Sequence, residues 1–271
     1  MKQSFSELKM LSCILAILFC MPFTSRLYGQ DRSLFVKSTF KSRQGITMPY
    51  RILFPANYDQ KARYPVVLFL HGAGERGNDN EKQLTHGASL FLSQQARANY
   101  PAIILFPQCP EEDFWSSVKI SRDSTKVAMD FDYTSEPTQS LMAAIELTQM
   151  IINQEAADPG RVYITGLSMG GMGTFEAVYR YPGMFASAIP ICGGGDDQRY
   201  DKRVLPTAFW IFHGDADEVV NVELSRKMNQ RLGKLNARVK YTEYPGVNHN
   251  SWDNAFGEQD FLKWLFSFQK P

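Results

Sequence analysis

The sequence has little of what marks metal-binding or nucleic-acid-binding proteins. Its four cysteines, at positions 13, 20, 109 and 192, show neither a C-x-x-C spacing nor a Cys/His spacing typical of a zinc site. Lys and Arg number 29 against 28 Asp and Glu, so the formal net charge is only +1, and no basic run of the kind that follows phosphates is present. We therefore expect no metal, no cofactor and no nucleic-acid partner.

The long apolar run of residues 10–23 lies close to the N-terminus and is too short to favour a stable transmembrane helix. Two lysines precede the run, and a polar stretch ending at Gly29 follows it. This order is typical of a secretory signal peptide. We predict a signal peptide over residues 1–29, export to the periplasm or the extracellular space, and no stable membrane insertion after cleavage. A lipoprotein anchor at Cys13 or Cys20 is the alternative.

Removal of that segment leaves two cysteines, Cys109 and Cys192. Each follows an apolar run that is predicted as a strand, and the ends of different strands can be too far apart for a disulfide. We expect two buried free thiols. No repeat, low-complexity tract or linker interrupts residues 30–271, which are predicted to form one catalytic domain.

Apolar runs alternate with helical patterns along this domain. Strands are predicted at 34–40, 46–54, 64–71, 101–107, 161–165, 186–191, 207–212 and 239–244, and helices at 81–98, 137–154, 173–180, 222–232 and 258–268. The first two strands are predicted to form an antiparallel hairpin at one edge of the sheet. Unbroken apolar runs such as 64–71 favour parallel strands that are covered on both faces. The pattern predicts an α/β fold with a mostly parallel, doubly wound sheet and helices on both faces.

The motif G-x-S-x-G, Gly166-Leu-Ser168-Met-Gly170, lies between a predicted strand and a predicted helix. By composition alone such a string arises in about one chain in ten of this size, as an ordinary glycine-rich turn. Its position favours a nucleophile elbow, a sharp turn that exposes the serine hydroxyl. The N–H of Met169 would then lie at a helix N-terminus, where it can stabilise an oxyanion.

A serine nucleophile needs a base within hydrogen-bond reach, and the sequence offers four histidines. His71 and His213 each end a strand directly before a glycine, which favours a structural role. His86 precedes Ser168, whereas in enzymes with a nucleophile elbow the acid and then the histidine follow the serine in the sequence. His249 follows the last strand and is predicted to be the general acid/base.

The acid is expected between Ser168 and His249 at the end of a strand. Three candidates, Asp215, Asp217 and Glu218, follow the strand 207–212, and spacing alone leaves them open. Asp196 and Asp197 are less favoured because both read as solvated turn residues.

Four segments together resemble the secreted esterases of the α/β-hydrolase superfamily, most of all the polyhydroxybutyrate-depolymerase and feruloyl-esterase-like group, which is similar to prolyl-oligopeptidase catalytic domains. The segments are Leu70-His-Gly-Ala-Gly-Glu-Arg-Gly77, residues 158–171 around the elbow, Phe212-His-Gly-Asp-Ala-Asp217 and Gly246-Val-Asn-His249. The resemblance covers most of residues 31–271 and implies an α/β-hydrolase fold.

The resemblance also implies residue roles. Asp217 would orient His249, and the N–H of Ala73 would be the second oxyanion donor beside that of Met169. A serine at the elbow argues against dienelactone hydrolases, which use cysteine there. From its position in the irregular stretch 108–135, Trp115 is predicted to line the substrate site, and the alternative is that the aromatic residues of this stretch cap the core.

These expectations describe a serine carboxylesterase that acts through an acyl-enzyme. Only about a dozen residues, roughly 193–205, occupy the place where many lipases insert a lid, which favours an open site and a small-molecule or polysaccharide ester, such as an acetyl or feruloyl ester. The alternatives are a prolyl-oligopeptidase-like peptidase, a phospholipase or thioesterase, and an inactive binding protein.

Overall fold

A computed structural model of the protein describes residues 31–122 and 127–270. The predicted signal peptide and the alternative anchor at Cys13 or Cys20 lie outside the described residues. Within the described ranges the strands are β1 (Val36–Lys41), β2 (Thr47–Leu53), β3 (Tyr64–Leu70), β4 (Ile103–Pro107), β5 (Val118–Arg122), β6 (Val127–Phe131), β7 (Ala157–Leu167), β8 (Ser187–Ile191), β9 (Ala208–Gly214) and β10 (Val239–Tyr244).

Eight of these strands form one sheet in the order β1-β2-β4-β3-β7-β8-β9-β10. β1 pairs antiparallel with β2, and β2 pairs antiparallel with β4. All pairs from β4 to β10 are parallel. The predicted edge hairpin and the predicted parallel sheet are therefore confirmed.

Helices cover both faces of this sheet: α1 (Ala88–Leu92), α2 (Gln94–Asn99), α3 (Gln139–Gln154), α4 (Met169–Arg180), α5 (Glu223–Lys234), α6 (Trp252–Gly257) and α7 (Phe261–Leu265). Alternate residues of β3 point to opposite faces, as the strand geometry requires. Val66 and Leu68 join a hydrophobic cluster with α3, α4 and α5. Val67 and Phe69 join a second cluster with α1, α6 and α7. The predicted α/β-hydrolase fold is confirmed.

Two predicted helices differ in the structure. The stretch 81–98 contains a 3-10 turn followed by α1 and α2, because Gly87 adopts a left-handed φ of 78° and Ser93 is extended and caps α2. The last predicted helix begins only at Phe261, after the separate helix α6. Residues 108–135, predicted to be irregular, contain the antiparallel hairpin β5-β6.

The two cysteines within the described ranges are both free and buried. Cys109 belongs to the first hydrophobic cluster and Cys192 to the second, so they lie on opposite sides of the sheet. The prediction of two buried free thiols is confirmed. No helix in the described part of the chain has both the length and the apolar character needed to cross a membrane.

Candidate active site

The loops that carry the predicted site residues leave the carboxyl ends of adjacent parallel strands. β3 is followed by Gly72 and Ala73, β7 by Ser168, and β9 by Asp217, while His249 follows β10. Because parallel strands all end at the same edge, their loops converge there. The fold thus brings segments that are far apart in sequence to one place.

Ser168 forms the turn between β7 and α4 with a φ of 53° and a ψ of −118°. Non-glycine residues rarely adopt a positive φ, and such strain is typical of functional sites. Close packing holds the turn: a Cβ on Gly170 would lie 1.9 Å from the carbonyl oxygen of Leu70. The N–H of Ser168 also donates to the carbonyl of Ile191 at 2.8 Å. The serine is therefore held in the strained geometry of an elbow.

His249 joins the serine to a carboxylate. Its Nε2 lies 2.9 Å from the Oγ of Ser168, and its Nδ1 lies 2.8 Å from Oδ2 of Asp217. Both distances are normal hydrogen bonds. If Nδ1 carries the proton, Nε2 is free to accept the proton of the serine hydroxyl. The arrangement can therefore activate Ser168 as a nucleophile.

The side chain of Asp217 is fully buried, yet its carboxylate is well satisfied. Oδ1 accepts from the backbone N–H groups of Val219 and Val220 at 2.9 and 2.8 Å. Burial alone raises the pKa of this carboxyl, but the hydrogen bonds from His213, His249 and Val220 outweigh it and hold the pKa well below its usual range. Asp217 is therefore a carboxylate at neutral pH.

The other candidate acids make different contacts. Asp215 accepts from the backbone N–H of Gly246, and Glu218 from the side-chain amide of Asn248. Asp196 accepts from the N–H of Tyr133 and Asp197 from the side chain of Gln198. His249 hydrogen-bonds to Asp217, so the choice that spacing left open is made by contact geometry.

His71 anchors the loop that carries the predicted oxyanion donor Ala73. The N–H of Cys109 donates to Nε2 of His71 at 3.0 Å, so Nδ1 carries the proton and donates to the carbonyl of Gly72 at 2.6 Å. The peptide of Gly72 and Ala73 is planar, so fixing its carbonyl also fixes the direction of the Ala73 N–H. Burial lowers the pKa of His71 to about 4, and the imidazole is neutral at pH 7.

Met169 is the first residue of α4, and its N–H is one of those at a helix N-terminus that have no acceptor within the helix.

Trp115 was predicted to line the substrate site, but its side chain is fully buried. The indole N–H donates to the carbonyl of His71 at 3.1 Å, so Trp115 supports the loop from within the core. This full burial favours the alternative, in which Trp115 caps the core.

Cys192 is a neighbour of Asp217 and His249 that the sequence did not indicate. It is fully buried with a φ of 41°, and its sulfur lies within 4.8 Å of ligand atoms of Asp217 and His249. Burial raises the pKa of its thiol well above the usual value. Among the described residues Cys192, Asp217 and His249 form the one cluster of three potential metal-ligating side chains, and two of them are the acid and the histidine that contact each other beside Ser168.

The fold and this arrangement of side chains define a serine hydrolase of the α/β-hydrolase class. The chain belongs to the phospholipase/carboxylesterase family, whose model matches residues 56–265. The predicted resemblance to esterases of this superfamily is confirmed at the level of family and fold.

Two curated relatives are informative. Carboxylesterase SOBER1 of Arabidopsis thaliana is 26% identical over 200 residues, which cover 68% of this chain and 82% of the relative. An uncharacterized secreted protein of Arthroderma benhamiae is 25% identical over 240 residues, or 76% of this chain and 23% of that protein. A secreted homologue therefore exists.

Two solved structures show the same fold. A thermostable esterase is 35% identical with a TM-score of 0.78, covering 88% of this chain, which spans 64% of the length of that esterase chain. A ferulic acid esterase of Anaeromyces mucronatus in complex with ferulic acid has a TM-score of 0.63 at 16% identity, covering 86% of this chain and 90% of that one. The second likeness shows the fold alone.

Proposed function

We propose that the protein is an exported serine carboxylesterase with Ser168 as nucleophile, His249 as general acid/base and Asp217 as orienting acid. The single observation that carries this proposal is the pair of hydrogen bonds that His249 makes, at 2.9 Å to the Oγ of Ser168 and at 2.8 Å to Oδ2 of Asp217. A nucleophile, a base and an orienting group within hydrogen-bond reach are the requirements of this chemistry.

The reaction begins when Nε2 of His249 takes the hydroxyl proton of Ser168. The serine oxygen attacks the ester carbonyl carbon, and the N–H groups of Met169 and Ala73 donate to the oxygen that becomes negative. The C–O bond to the alcohol then breaks, and His249 returns the proton to the leaving alcohol. Water, deprotonated by His249 in the same way, releases the acid and restores Ser168.

The buried carboxylate of Asp217 supports this cycle because it remains ionised and stabilises the imidazolium that forms twice per turnover. Each oxyanion donor is typically worth about 3 kcal/mol of transition-state stabilisation. His71 and Gly170 support the two donor loops through the contacts described above.

For the substrate we propose a bulky polar ester, such as an acetyl or feruloyl ester of plant polysaccharide. Between β8 and β9 the chain forms one 3-10 turn, Lys202–Val204, and no longer helix that would cover the serine. An open site admits large polar alcohols more readily than a lidded one. A phospholipase or thioesterase is the second candidate, because the family description names phospholipases.

We further propose that residues 30–271 form one catalytic domain, released by cleavage after Gly29. The support is the signal-like composition of residues 1–29 and the single eight-stranded sheet. Mass determination of the N-terminus of exported protein tests this proposal. A mature chain that begins at Cys13 or Cys20 and carries a lipid would replace it with the anchored alternative.

The activity is tested by hydrolysis of p-nitrophenyl acetate between pH 6 and 9, with Ser168→Ala as control. We expect turnover that rises as a histidine loses its proton and that disappears in the variant. Equal rates in both proteins would overturn the proposal. Acetylated xylan, feruloylated arabinoxylan, a phospholipid and an acyl thioester, compared by kcat/KM, would then separate the substrate classes.

A further inference from the structure

A second histidine contacts the proposed catalytic acid. Nε2 of His213 lies 3.1 Å from Oδ2 of Asp217, the same oxygen that accepts from His249. His213 is the last but one residue of β9 and lies four residues before Asp217. Both side chains are fully buried, so the contact is closed off from solvent. Asp217 is therefore shared by two imidazoles, and only His249 also reaches Ser168.

The partners of His213 determine where its proton lies. Nε2 also lies 2.9 Å from the carbonyl oxygen of Val220. A carbonyl and a carboxylate accept hydrogen bonds but cannot donate them, so Nε2 must carry a proton. Nδ1 lies 2.7 Å from the hydroxyl of Ser225, which also reaches the carbonyl of Gly193 at 3.0 Å. The imidazole is thus held at both nitrogens and directs an N–H at Asp217.

Resting on the proposed function, we infer that His213 is a positioning residue that sets the orientation and the basicity of Asp217, and through it the pH range in which His249 acts. The N–H of His213 holds Oδ2, while Val219 and Val220 hold Oδ1. These three donors and His249 together hold the carboxylate in one orientation. Because Oδ2 is shared, it is a weaker acceptor for His249 than an oxygen with one partner.

The titratable groups next to His213 and Asp217 keep the same protonation state between pH 5 and 8. Glu243 on β10 lies opposite His213 in the sheet register, and Arg226 on α5 donates to it. The hydrogen bond from Arg226 lowers the pKa of Glu243 to about 2. The thiol of Cys192, near Asp217 and His249, stays protonated because burial raises its pKa. Glu243 and Cys192 therefore do not titrate between pH 5 and 8.

The test uses two variants of the same chemical kind. In His213→Gln the amide nitrogen can reach the place of Nε2 and donate to Asp217. In His213→Asn the shorter amide can reach Ser225 but not Asp217. Each variant retains a polar side chain, and circular dichroism with thermal melting checks that both fold. The purified wild-type protein and both variants are then assayed with p-nitrophenyl acetate from pH 5 to 9.

For His213→Asn we expect kcat to fall about 10-fold with little change in KM. The half-maximal point of the acidic limb of kcat/KM should move up by about half a pH unit to one unit, because Oδ2 becomes a stronger acceptor for His249. His213→Gln should keep the acidic limb of the wild type. A folded His213→Asn protein with the wild-type limb, or two variants with the same shifted limb, would overturn the inference.

The experiment distinguishes a failure of the proposed function from a failure of the inference about His213. If the wild-type protein shows no turnover that depends on Ser168, the esterase assignment is lost before either variant is compared. If that turnover is present, the comparison of Gln with Asn at position 213 decides the role of His213 alone. A lower melting temperature in both variants without a difference in their pH profiles would show a purely structural role and overturn the inference.

Discussion

Asp215 and Asp217 are separated by one residue, yet their carboxylates lie in different environments. The side chain of Asp217 is fully buried and accepts from two histidines and two backbone N–H groups. Asp215 is exposed and accepts from the N–H of Gly246. Burial strengthens the interaction of Asp217 with the imidazolium that forms during catalysis, because solvent screens it less.

This difference predicts the outcome of two matched substitutions. Asp217→Asn should lower kcat about 10⁴-fold, because an amide favours the wrong tautomer of His249 and carries no charge. Asp215→Asn should leave kcat within a factor of two or so of the wild type, because a solvated turn residue contributes little to stability or activity. Steady-state rates with p-nitrophenyl acetate give both values. A larger loss for Asp215→Asn would mean that the proposed acid is misassigned.

At the same scale, the residues themselves identified Ser168 and His249 but left three acids open, and Asp217 was implied only by the resemblance to known esterases. Ser168 lies in a motif whose local geometry is distinctive, and His249 was found by elimination among four histidines. The acid depends on which carboxylate the loop after β9 turns inward, a property of tertiary packing. The contact of His213 with Asp217 was invisible for the same reason.

At the scale of elements, the elbow depends on how closely α4 approaches β3. A Cβ on Gly170 would lie 1.9 Å from the carbonyl oxygen of Leu70, and that oxygen belongs to a strand that cannot yield. Gly233, near the end of α5, has no atom within 4 Å of the same added carbon. The two glycines therefore serve different purposes although both lie in helices.

Gly170→Ala should destabilise the protein by about 3 kcal/mol or more and lower activity, because α4 must move away from β3. Gly233→Ala should be neutral or should stabilise by about 0.5 kcal/mol, since alanine loses less conformational entropy on folding. Urea denaturation gives both free energies of unfolding. Equal effects at the two positions would show that the approach of α4 to β3 does not hold the elbow.

The sequence predicted long buried elements better than short exposed ones. β3, Tyr64–Leu70, covers all but the last residue of the predicted strand 64–71, and α3 begins two residues after its predicted start. The hairpin β5-β6 was missed, because β6 alternates between half-buried and exposed residues over only five positions and residues 119–121 of β5 are all exposed. Such short strands carry too weak a hydrophobic pattern to stand out from a loop.

At the scale of the whole molecule, two His-Gly dipeptides occupy equivalent places in the sheet. His71 directly follows β3 and His213 is the last but one residue of β9, and both imidazoles are buried and contact the loops that follow. His71 holds the carbonyl before Ala73, and His213 contacts Asp217. Each side of the proposed site is thus attached to the sheet by a histidine that does not touch the serine.

His71 makes the stability of the protein depend on pH in a defined window. Burial lowers its pKa from the usual 6.5 to about 4, so the unfolded chain binds a proton more readily than the folded one. Stability that is present above pH 6.5 is therefore lost as the pH falls toward 4. Asp79 and Glu243, whose pKa values are lowered to about 2, reduce stability only below about pH 4.5.

Between pH 7 and pH 4.5 we expect His71 to account for about 2 kcal/mol of lost stability. His71→Asn should be less stable at pH 7, because the shorter amide cannot reach the place of Nε2 and the N–H of Cys109 loses its acceptor, but its stability should change less over the same interval. Urea denaturation of both proteins at the two pH values measures the difference. If the wild type and the variant lost equal stability, the acid sensitivity would come from other groups, and the imidazole of His71 would not be held neutral by burial.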